Sequence, residues 1–313
     1  MIDIAMELGI VGLPKSGKTT VFNALTGGKA KTAAYASATL EPNIGVVRVN
    51  DPRLAILEGM LKPKRVVPAE VTYVDVAFTP KTSEKRGGFS GQLLSYLERV
   101  DALIHVVRVF EDERVPHIEG SIDPERDIST VNMELAFSDL LILERRLERL
   151  KESLKRASQQ ERGTLSREQS LLVRIKECLE KGMLLREQEL SIGEAKLIEN
   201  YQFLTAKPLL VLLNIGEEQL SETDSIEARL SACSRPRCQL ATLCGKLEME
   251  LAQLSEDEAD EFRIALGIGK SAVDRVIRES YQLLGLVSFF TTASNEVKAW
   301  TVRQNPAAPA AAG

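Results

Sequence analysis

The stretch Gly-Leu-Pro-Lys-Ser-Gly-Lys-Thr-Thr at residues 12–20 decides the fold of this chain. The G-x-x-x-x-G-K-S/T pattern of a phosphate-binding loop is met by Gly12, Gly17, Lys18 and Thr19. In such a loop, successive backbone N–H groups form a concave anion site, and the positive end of the following helix dipole points to the same place. The pattern predicts that Lys18 contacts the β- and γ-phosphates of a nucleotide and that Thr19 ligates Mg²⁺.

The residues around this loop occur in the order that a phosphate-binding loop requires. Residues 8–11, Leu-Gly-Ile-Val, predict a short buried strand before the loop. Residues 21–25, Val-Phe-Asn-Ala-Leu, predict a helix after it, which the glycines at 27 and 28 end. We therefore predict a nucleotide-binding protein of the P-loop class. Further loop residues expected at the nucleotide are Pro14, Lys15, Ser16 and Thr20.

The composition is that of an ordinary soluble protein, with 44% hydrophobic and 27% charged residues in a chain of 313. The sequence has no apolar run of membrane-spanning length and no signal-peptide pattern at its N-terminus. We therefore expect a cytoplasmic protein without a membrane partner. The net charge of −5 argues against general attraction to nucleic acid, and no sequence-specific DNA binding is expected. Because a net charge is only a sum, a local basic patch is compatible with it.

A second predicted site residue, Asp75, ends the apolar alternation Val-Thr-Tyr-Val at residues 71–74. A carboxylate at the end of a strand downstream of a phosphate-binding loop is placed to orient Mg²⁺. The carboxyl ends of parallel strands share one edge of a sheet, where ligands bind. We therefore expect Asp75 at the nucleotide site. Further strands are predicted at 45–49, 103–109, 209–213, 239–243 and 287–291, and a further helix at 271–284.

Between residues 128 and 203 the apolar residues recur at heptad spacing. The members of this pattern are Ala136, Leu140, Leu143, Leu147, Leu150, Leu154 and Ala157, followed by Leu172, Ile175, Leu179 and Gly182. Charged residues fill the intervening positions, which predicts two short antiparallel helices in a coiled-coil hairpin. The polar residues 158–163, which end in Gly163, are predicted to form the turn. The sequence leaves open whether this arm is a spacer or a docking surface.

Further short motifs occur along essentially the whole chain. They are Gly-Ile-Val-Gly-Leu-Pro at 9–14, Thr-Leu-Glu-Pro-Asn at 39–43, Asp-Pro-Arg-Leu at 51–54, His-Val-Val-Arg at 105–108, His-Ile-Glu-Gly-Ser-Ile-Asp-Pro at 117–124, Leu-Thr-Ala-Lys-Pro at 204–208 and Glu-Val-Lys-Ala-Trp-Thr at 296–301. In identity and order, these motifs make the chain resemble the Obg-like ATPases, the YchF branch of the translation-factor class of P-loop proteins.

The resemblance implies an α/β fold, a Ras-like P-loop domain at residues 1–127 and 204–284 with the coiled-coil arm inserted at 128–203. Residues 285–313 would then be a truncated, TGS-like α+β segment, since they match only the beginning of the family's C-terminal TGS domain. The resemblance also implies Mg²⁺-dependent hydrolysis of ATP in preference to GTP, and binding to the ribosome. The expected role is that of a translation-associated switch in the cytoplasm.

The loop that reads the base departs from the Asn-Lys-x-Asp sequence with which GTPases recognise guanine. The corresponding residues here are Asn214, Ile215, Gly216 and Glu217. We expect Asn214 and nearby backbone groups to read the amino group of adenine. GTP would be penalised because polar groups of guanine would lack partners; GTP as the substrate is the alternative. By the resemblance, the second base-edge loop is formed by Cys244, Gly245 and Lys246.

The resemblance also assigns the chemistry. Lys18 and His117 are the expected catalytic residues, with Lys18 on the phosphates and His117 orienting the attacking water. Thr39 is expected to join Thr19 in binding Mg²⁺ when the first switch closes. Phe78 replaces the family's glycine, whose N–H meets the γ-phosphate, and this replacement predicts slow hydrolysis. A nucleotide-binding scaffold with little hydrolysis is therefore the second hypothesis.

Overall fold

The strand, loop and helix predicted around the phosphate-binding loop open the fold. The computed structural model describes residues 6–28, 42–76, 91–233, 237–269, 271–293 and 295–304. The strands are β1 (Met6–Val11), β2 (Asn43–Arg48), β3 (Arg65–Val67), β4 (Glu70–Asp75), β5 (Ala102–Arg108), β6 (Leu209–Asn214), β7 (Cys238–Leu243), β8 (Leu286–Ala293) and β9 (Glu296–Arg303). The helices are α1 (Lys18–Thr26), α2 (Pro52–Leu61), α3 (Gly91–Arg99), α4 (Pro124–Arg156), α5 (Gln159–Glu180), α6 (Ile192–Ile198), α7 (Thr223–Arg229), α8 (Gly245–Leu251), α9 (Glu256–Ala265) and α10 (Ala272–Leu283). Short 3-10 helices occur between some of these elements, including Leu204–Ala206 and Glu217–Glu222.

The main sheet has six strands in the order β2-β4-β1-β5-β6-β7. Strand β2 runs antiparallel to β4, and the other neighbouring strands are parallel. Every residue of β5 and β6 is buried, which explains why both strands are mostly apolar in the sequence. The predicted α/β fold of the P-loop class is confirmed.

The parallel strands bring distant segments of the chain to one edge of this sheet. In the register of the sheet, Ile10 of β1 lies opposite Asp75 of β4. Arg108 at the end of β5 lies opposite Asn214 at the end of β6. The edge formed by the carboxyl ends of these strands therefore holds the phosphate-binding loop together with Asp75 and Asn214, as expected for a ligand site in a parallel sheet.

The inserted arm is a hairpin of two long helices. Helix α4 has 33 residues and α5 has 22, so the prediction of two short helices is wrong in length. The seam between them is apolar and buried, and its members include Ala136, Leu143, Leu147, Leu150, Leu171, Leu172, Ile175 and Leu179. The heptad spacing thus identified the packed face correctly. None of the helices in the described ranges is both long and apolar enough to cross a membrane.

The turn of the hairpin is shorter than predicted, and the assignment of residues 158–163 to it is wrong. Two residues separate the end of α4 from Gln159, where α5 begins. The Ser158 N–H donates a hydrogen bond of 3.0 Å to Oε2 of Glu161, which caps the start of α5. Gly163 lies inside α5, where glycine costs about 1 kcal/mol relative to alanine. We attribute its tolerance to the cap and to the buried seam.

The C-terminal strands form a second, three-stranded sheet in the order β3-β9-β8. Strands β8 and β9 are antiparallel along their full length, from the pair Leu286–Arg303 to the pair Ala293–Glu296. Strand β3 pairs in parallel with β9, although it belongs to the segment 1–127 that the sequence assigns to the nucleotide domain. The C-terminal segment is therefore joined to the body of the fold through backbone hydrogen bonds.

A buried carboxylate anchors the arm to the body. Asp139 of α4 accepts hydrogen bonds from the N–H groups of Leu204 and Thr205, at 2.8 Å each, and from Oγ1 of Thr205 at 2.6 Å. Nε of Arg186 donates to the carbonyl oxygen of the same threonine at 3.1 Å. Burial raises the pKa of the Asp139 carboxyl to about 6, against the opposing effect of these hydrogen bonds.

We expect Asp139→Asn to lower the free energy of unfolding at pH 7 by about 2 kcal/mol, because its NH₂ group would face backbone N–H donors. The difference between the two proteins should grow as the pH falls. The pKa of the Asp139 carboxyl is about 3.9 in the unfolded chain and about 6 in the folded protein. Between these pH values only the folded state binds the proton, so the folded state gains stability as the pH falls. The asparagine variant has no such proton.

Urea unfolding of both proteins at pH 7 and pH 5 measures this effect. A free-energy difference that stays constant or shrinks toward pH 5 would contradict the assignment of the raised pKa to Asp139.

Candidate functional site

The phosphate-binding loop has a backbone shape that only glycine permits at two positions. Gly12 has φ +152° and Gly17 has φ +90°. A Cβ on Gly12 would lie 2.4 Å from the carbonyl oxygen of Val106, and a Cβ on Gly17 would lie 2.2 Å from Nδ2 of Asn214. Glycine is therefore required by close backbone approach as well as by φ.

The amine of Lys18 lies within the curve of this loop. Its Nζ donates hydrogen bonds of 2.9 Å to the carbonyl oxygens of Gly12 and Leu13. Burial lowers the pKa of Lys18 to about 8, while the negative charge of Asp75 acts in the opposite direction. A buried cation without a full counter-charge favours an anionic ligand, which is the property expected of a lysine that binds phosphate.

Thr19 and Asp75, which the sequence predicts on separate segments, are in direct contact. Oγ1 of Thr19 donates to Oδ2 of Asp75 at 2.8 Å, and Nδ2 of Asn43 donates to the same oxygen at 3.2 Å. Across the part of the chain that the structure describes, no three His, Cys, Asp or Glu side chains are grouped as a metal site. A hydroxyl and one carboxylate, completed by phosphate oxygens, suit Mg²⁺. Two predicted switch residues, Thr39 and Phe78, lie outside the described residues.

Asn214 connects both base loops to the phosphate-binding loop. Its Nδ2 donates to the carbonyl oxygen of Ser16 at 3.0 Å, and its Oδ1 accepts from the N–H of Gly245 at 3.0 Å. Its backbone oxygen accepts from the N–H groups of Val109 and Phe110 at 2.9 and 3.2 Å. Because an amide nitrogen carries two hydrogens, one remains for a base.

The other residues of the two base loops divide into buried and exposed groups. The side chains of Ile215 and Cys244 lie in the hydrophobic core, so they can face a nucleotide only through their backbone. The Ile215 N–H is already bonded to the oxygen of Leu243 at 3.0 Å. Glu217 and Lys246 are exposed and form an ion pair of 2.8 Å between Oε1 and Nζ. This ion pair bridges the two loops.

The remaining predicted loop residues surround the phosphate position in different ways. Lys15 is exposed, has a left-handed φ of 65°, and its Nζ donates to the oxygen of Pro116 at 3.4 Å. The Oγ of Ser16 is buried without a hydrogen-bond partner among the described residues. Pro14 and Thr20 are half-buried on either side of it. The loop therefore retains an unpaired hydroxyl inside its curve.

His117 is held by two hydrogen bonds, and both ring nitrogens are occupied. Its Nδ1 accepts from the N–H of Glu119 at 3.1 Å, which leaves Nε2–H to donate to Oδ2 of Asp127 at 2.9 Å. Asp127 lies in the first turn of α4, and its other oxygen accepts from Arg126. The structure thus places His117 beside α4 and not on the phosphate-binding loop. Its catalytic role stays a prediction.

Arg108 is a site residue that the sequence reasoning did not single out. It is 2% exposed at the end of β5 and donates to the carbonyl oxygens of Phe110, Val115 and Asp112 at 3.1, 2.7 and 3.4 Å. Its guanidinium carbon lies 4.4 Å from the centre of the Phe110 ring, whose edge lies beside Gly17. The available signal was a charged residue that ends an otherwise apolar strand.

The chain is similar to known proteins along its whole length. A family model described as 50S ribosome-binding GTPase matches residues 7–143. The ribosome-binding ATPase YchF of Bacillus subtilis (strain 168) is 36% identical over 313 residues, which cover 99% of this chain and 84% of the relative. This chain belongs to the YchF family of Obg-like ATPases.

Other YchF-family proteins show the same relationship. The Obg-like ATPase 1 of Caenorhabditis elegans is 33% identical over 98% of this chain and 78% of its own length. The solved structure of the Schizosaccharomyces pombe YchF GTPase matches with a TM-score of 0.83 and 32% identity, covering 100% of this chain and 84% of that one. The family predicted from the motifs is confirmed. The roles of single residues and the division into domains stay predictions.

In this YchF-family chain, we expect Arg108→Lys to weaken nucleotide binding. The single nitrogen of a lysine cannot occupy the three positions from which Nε, Nη1 and Nη2 of Arg108 donate, so the loop that carries Phe110 would loosen. Losing hydrogen bonds worth about 1.4 kcal/mol in total corresponds to roughly tenfold lower affinity. Titration with a fluorescent ATP analogue measures the change, and Arg278→Lys on the exposed face of α10 is the matched control. Equal affinity of the two variants would show that other contacts hold the loop.

Proposed function

We propose that this chain is a slow, Mg²⁺-dependent ATPase that acts as a nucleotide-controlled switch on the ribosome in the cytoplasm. The observation that carries the proposal is the convergence of the phosphate-binding loop, Asp75 and Asn214 at one edge of the parallel sheet. The names of the relatives, ribosome-binding ATPase and Obg-like ATPase, support the substrate and the partner.

Thr19 and Asp75 would hold the metal ion. Their contact of 2.8 Å joins a hydroxyl to a carboxylate, the oxygen ligands that Mg²⁺ takes in P-loop proteins. Bound there, Mg²⁺ supplies positive charge to the β- and γ-phosphate oxygens. Lys18 adds a second positive charge, and we infer that its Nζ leaves the oxygens of Gly12 and Leu13 for the phosphates.

The base loops favour adenine over guanine. Recognition of guanine requires a free carboxylate that accepts two hydrogen bonds from the base, whereas the Glu217 carboxylate is paired with Lys246. Leaving the guanine donors without partners costs roughly 1–3 kcal/mol. The second hydrogen on Nδ2 of Asn214 can meet N7 of either purine, so the discrimination rests on Glu217.

His117 is proposed to orient the attacking water. Asp127 fixes the tautomer in which Nε2 carries the hydrogen, so Nδ1 is the nitrogen that can accept a hydrogen bond from water. That nitrogen now accepts from the N–H of Glu119, so the loop must release this bond, at a cost of about 1 kcal/mol. Because this hydrogen bond must be broken in each catalytic cycle, turnover is expected to be slow.

Phosphate release from ATP and from GTP, measured in parallel, tests the substrate. We expect release from ATP that falls at least about 100-fold in Lys18→Ala, since the charge that stabilises the transferring phosphoryl group is removed. Lys196→Ala, on the exposed face of α6, should match the unaltered chain. Release from GTP alone would reassign the substrate, and nucleotide binding without release from either would establish a scaffold.

A second experiment tests the role of His117. His117→Ala should lower kcat for ATP by about 100-fold or more while leaving the affinity for ATP within about threefold, as expected for a group that acts on water. Asp127→Asn should lower kcat less and shift its pH profile, because the histidine loses its tautomeric partner. If both variants lower thermal stability but leave kcat unchanged, the pair only attaches the loop to α4.

A further inference from the structure

The distal part of the hairpin carries a concentrated positive charge. Residues 149–167 contain six Lys and Arg side chains and two Glu, in a chain whose net charge is −5. Both glutamates are already engaged inside the hairpin: Glu152 pairs with Lys155 at 2.6 Å, and Glu161 accepts from the N–H and Oγ of Ser158. Contacts within the hairpin therefore engage both carboxylates, whereas most of the cations stay without an ion pair.

All six of these cations face solvent, and we refer to the five other than the paired Lys155 as the tip cations. They are Arg149, Lys151, Arg156, Arg162 and Arg167, each exposed. Within the described ranges, none of the five forms an ion pair. The two-residue turn follows Arg156, and the members farthest from it lie about ten residues along each helix at most, or about 15 Å at 1.5 Å per residue. The tip cations thus lie within one short patch at the distal end of the hairpin, although Arg149 and Lys151, two residues apart on α4, point to different sides of the helix.

The chemistry of this patch favours a phosphate backbone over a protein surface. The anchors of protein interfaces are enriched in Trp, Tyr and Arg and lie in well-packed, desolvated pockets. Among the described residues, no large apolar side chain that is strongly exposed lies between Phe137 and Val173. The sequence also has no Phe, Tyr or Trp from residue 138 to residue 200, so the tip has no ring on which an unpaired base could stack.

We propose that the tip cations dock the hairpin on the phosphate backbone of folded RNA, without reading its base sequence. The proposal rests on the ribosome-binding role proposed above and names the surface and the chemistry through which that binding occurs. Contacts with phosphate alone predict strong dependence on salt and weak dependence on sequence. The cations at the start of α5 and the end of α4 are held on well-packed helices, so few degrees of freedom are lost on docking.

The test uses the full chain, a fluorescent RNA duplex and purified ribosomes as probes. The tip variant combines Arg156→Gln, Arg162→Gln and Arg167→Gln, since glutamine keeps helix propensity while removing charge. The control variant makes the same number of changes at exposed cations elsewhere: Lys196→Gln, Arg229→Gln and Arg278→Gln. Circular dichroism melting and ATP turnover are recorded on every preparation, so that loss of fold or of nucleotide chemistry is detected separately.

We expect the tip variant to bind the RNA duplex at least about tenfold more weakly than the control variant. The slope of log affinity against log salt should fall by about 2 to 3, because three phosphate contacts are lost. Ribosome binding should fall in parallel, with ATP turnover unchanged. Equal affinities and slopes for the tip and control variants, or no duplex binding by the unaltered chain, would overturn the proposal.

Three further outcomes separate this inference from the proposed function. If the unaltered chain binds ribosomes and hydrolyses ATP but the tip variant does both equally well, the switch stands and the tip inference is wrong. If the tip variant loses ribosome binding while duplex binding is unaffected, the contact is with ribosomal protein, and the RNA inference is again wrong. If the chain binds the duplex through the tip but does not bind ribosomes, the RNA-docking inference is supported and the proposed role on the ribosome is wrong.

Discussion

The side-chain amide of Asn214 is the contact on which the nucleotide site depends. It bonds to the oxygen of Ser16 on one side and to the N–H of Gly245 on the other. Its backbone oxygen also holds the start of the segment that carries Phe110. One residue at the end of a buried strand therefore fixes three loops, and the glycine at 17 is required because any side chain there would collide with the amide. The specificity for the base and the shape of the phosphate cradle are consequently coupled.

Helix α4 joins this site to the distal tip of the arm. Its first turn holds Asp127, which bonds to His117, and its middle holds Asp139, which is buried against Leu204 and Thr205. The far end reaches the hairpin turn after 33 residues. Since both attachments are charge-assisted hydrogen bonds in buried surroundings, the helix is fixed firmly to the body.

Much of the fold and part of the site could be predicted from local pattern. The glycine spacing, the apolar strands and the strand-terminal Asp75 are properties of short segments, and the structure places them together because parallel strands end at one edge. The role of Arg108 and the pairing of His117 with Asp127 depend on how the loop after β5 folds back and on where α4 begins. No periodicity encodes these contacts. The early start of α5 shows the same limit, because a cap at Ser158 outweighed the glycine that suggested a turn.

The distribution of charge determines which part of the molecule approaches a phosphate surface first. Residues 149–167 hold six Lys and Arg side chains against two Glu while the total charge is −5, so the rest of the chain is more acidic than the net value indicates. A phosphate surface would repel that body and attract the tip, so electrostatics alone favour an approach in which the hairpin leads. The nucleotide edge of the sheet would then remain accessible to solvent during docking. An arm that only separated two domains would gain nothing from such segregation, and this favours a docking surface over a spacer.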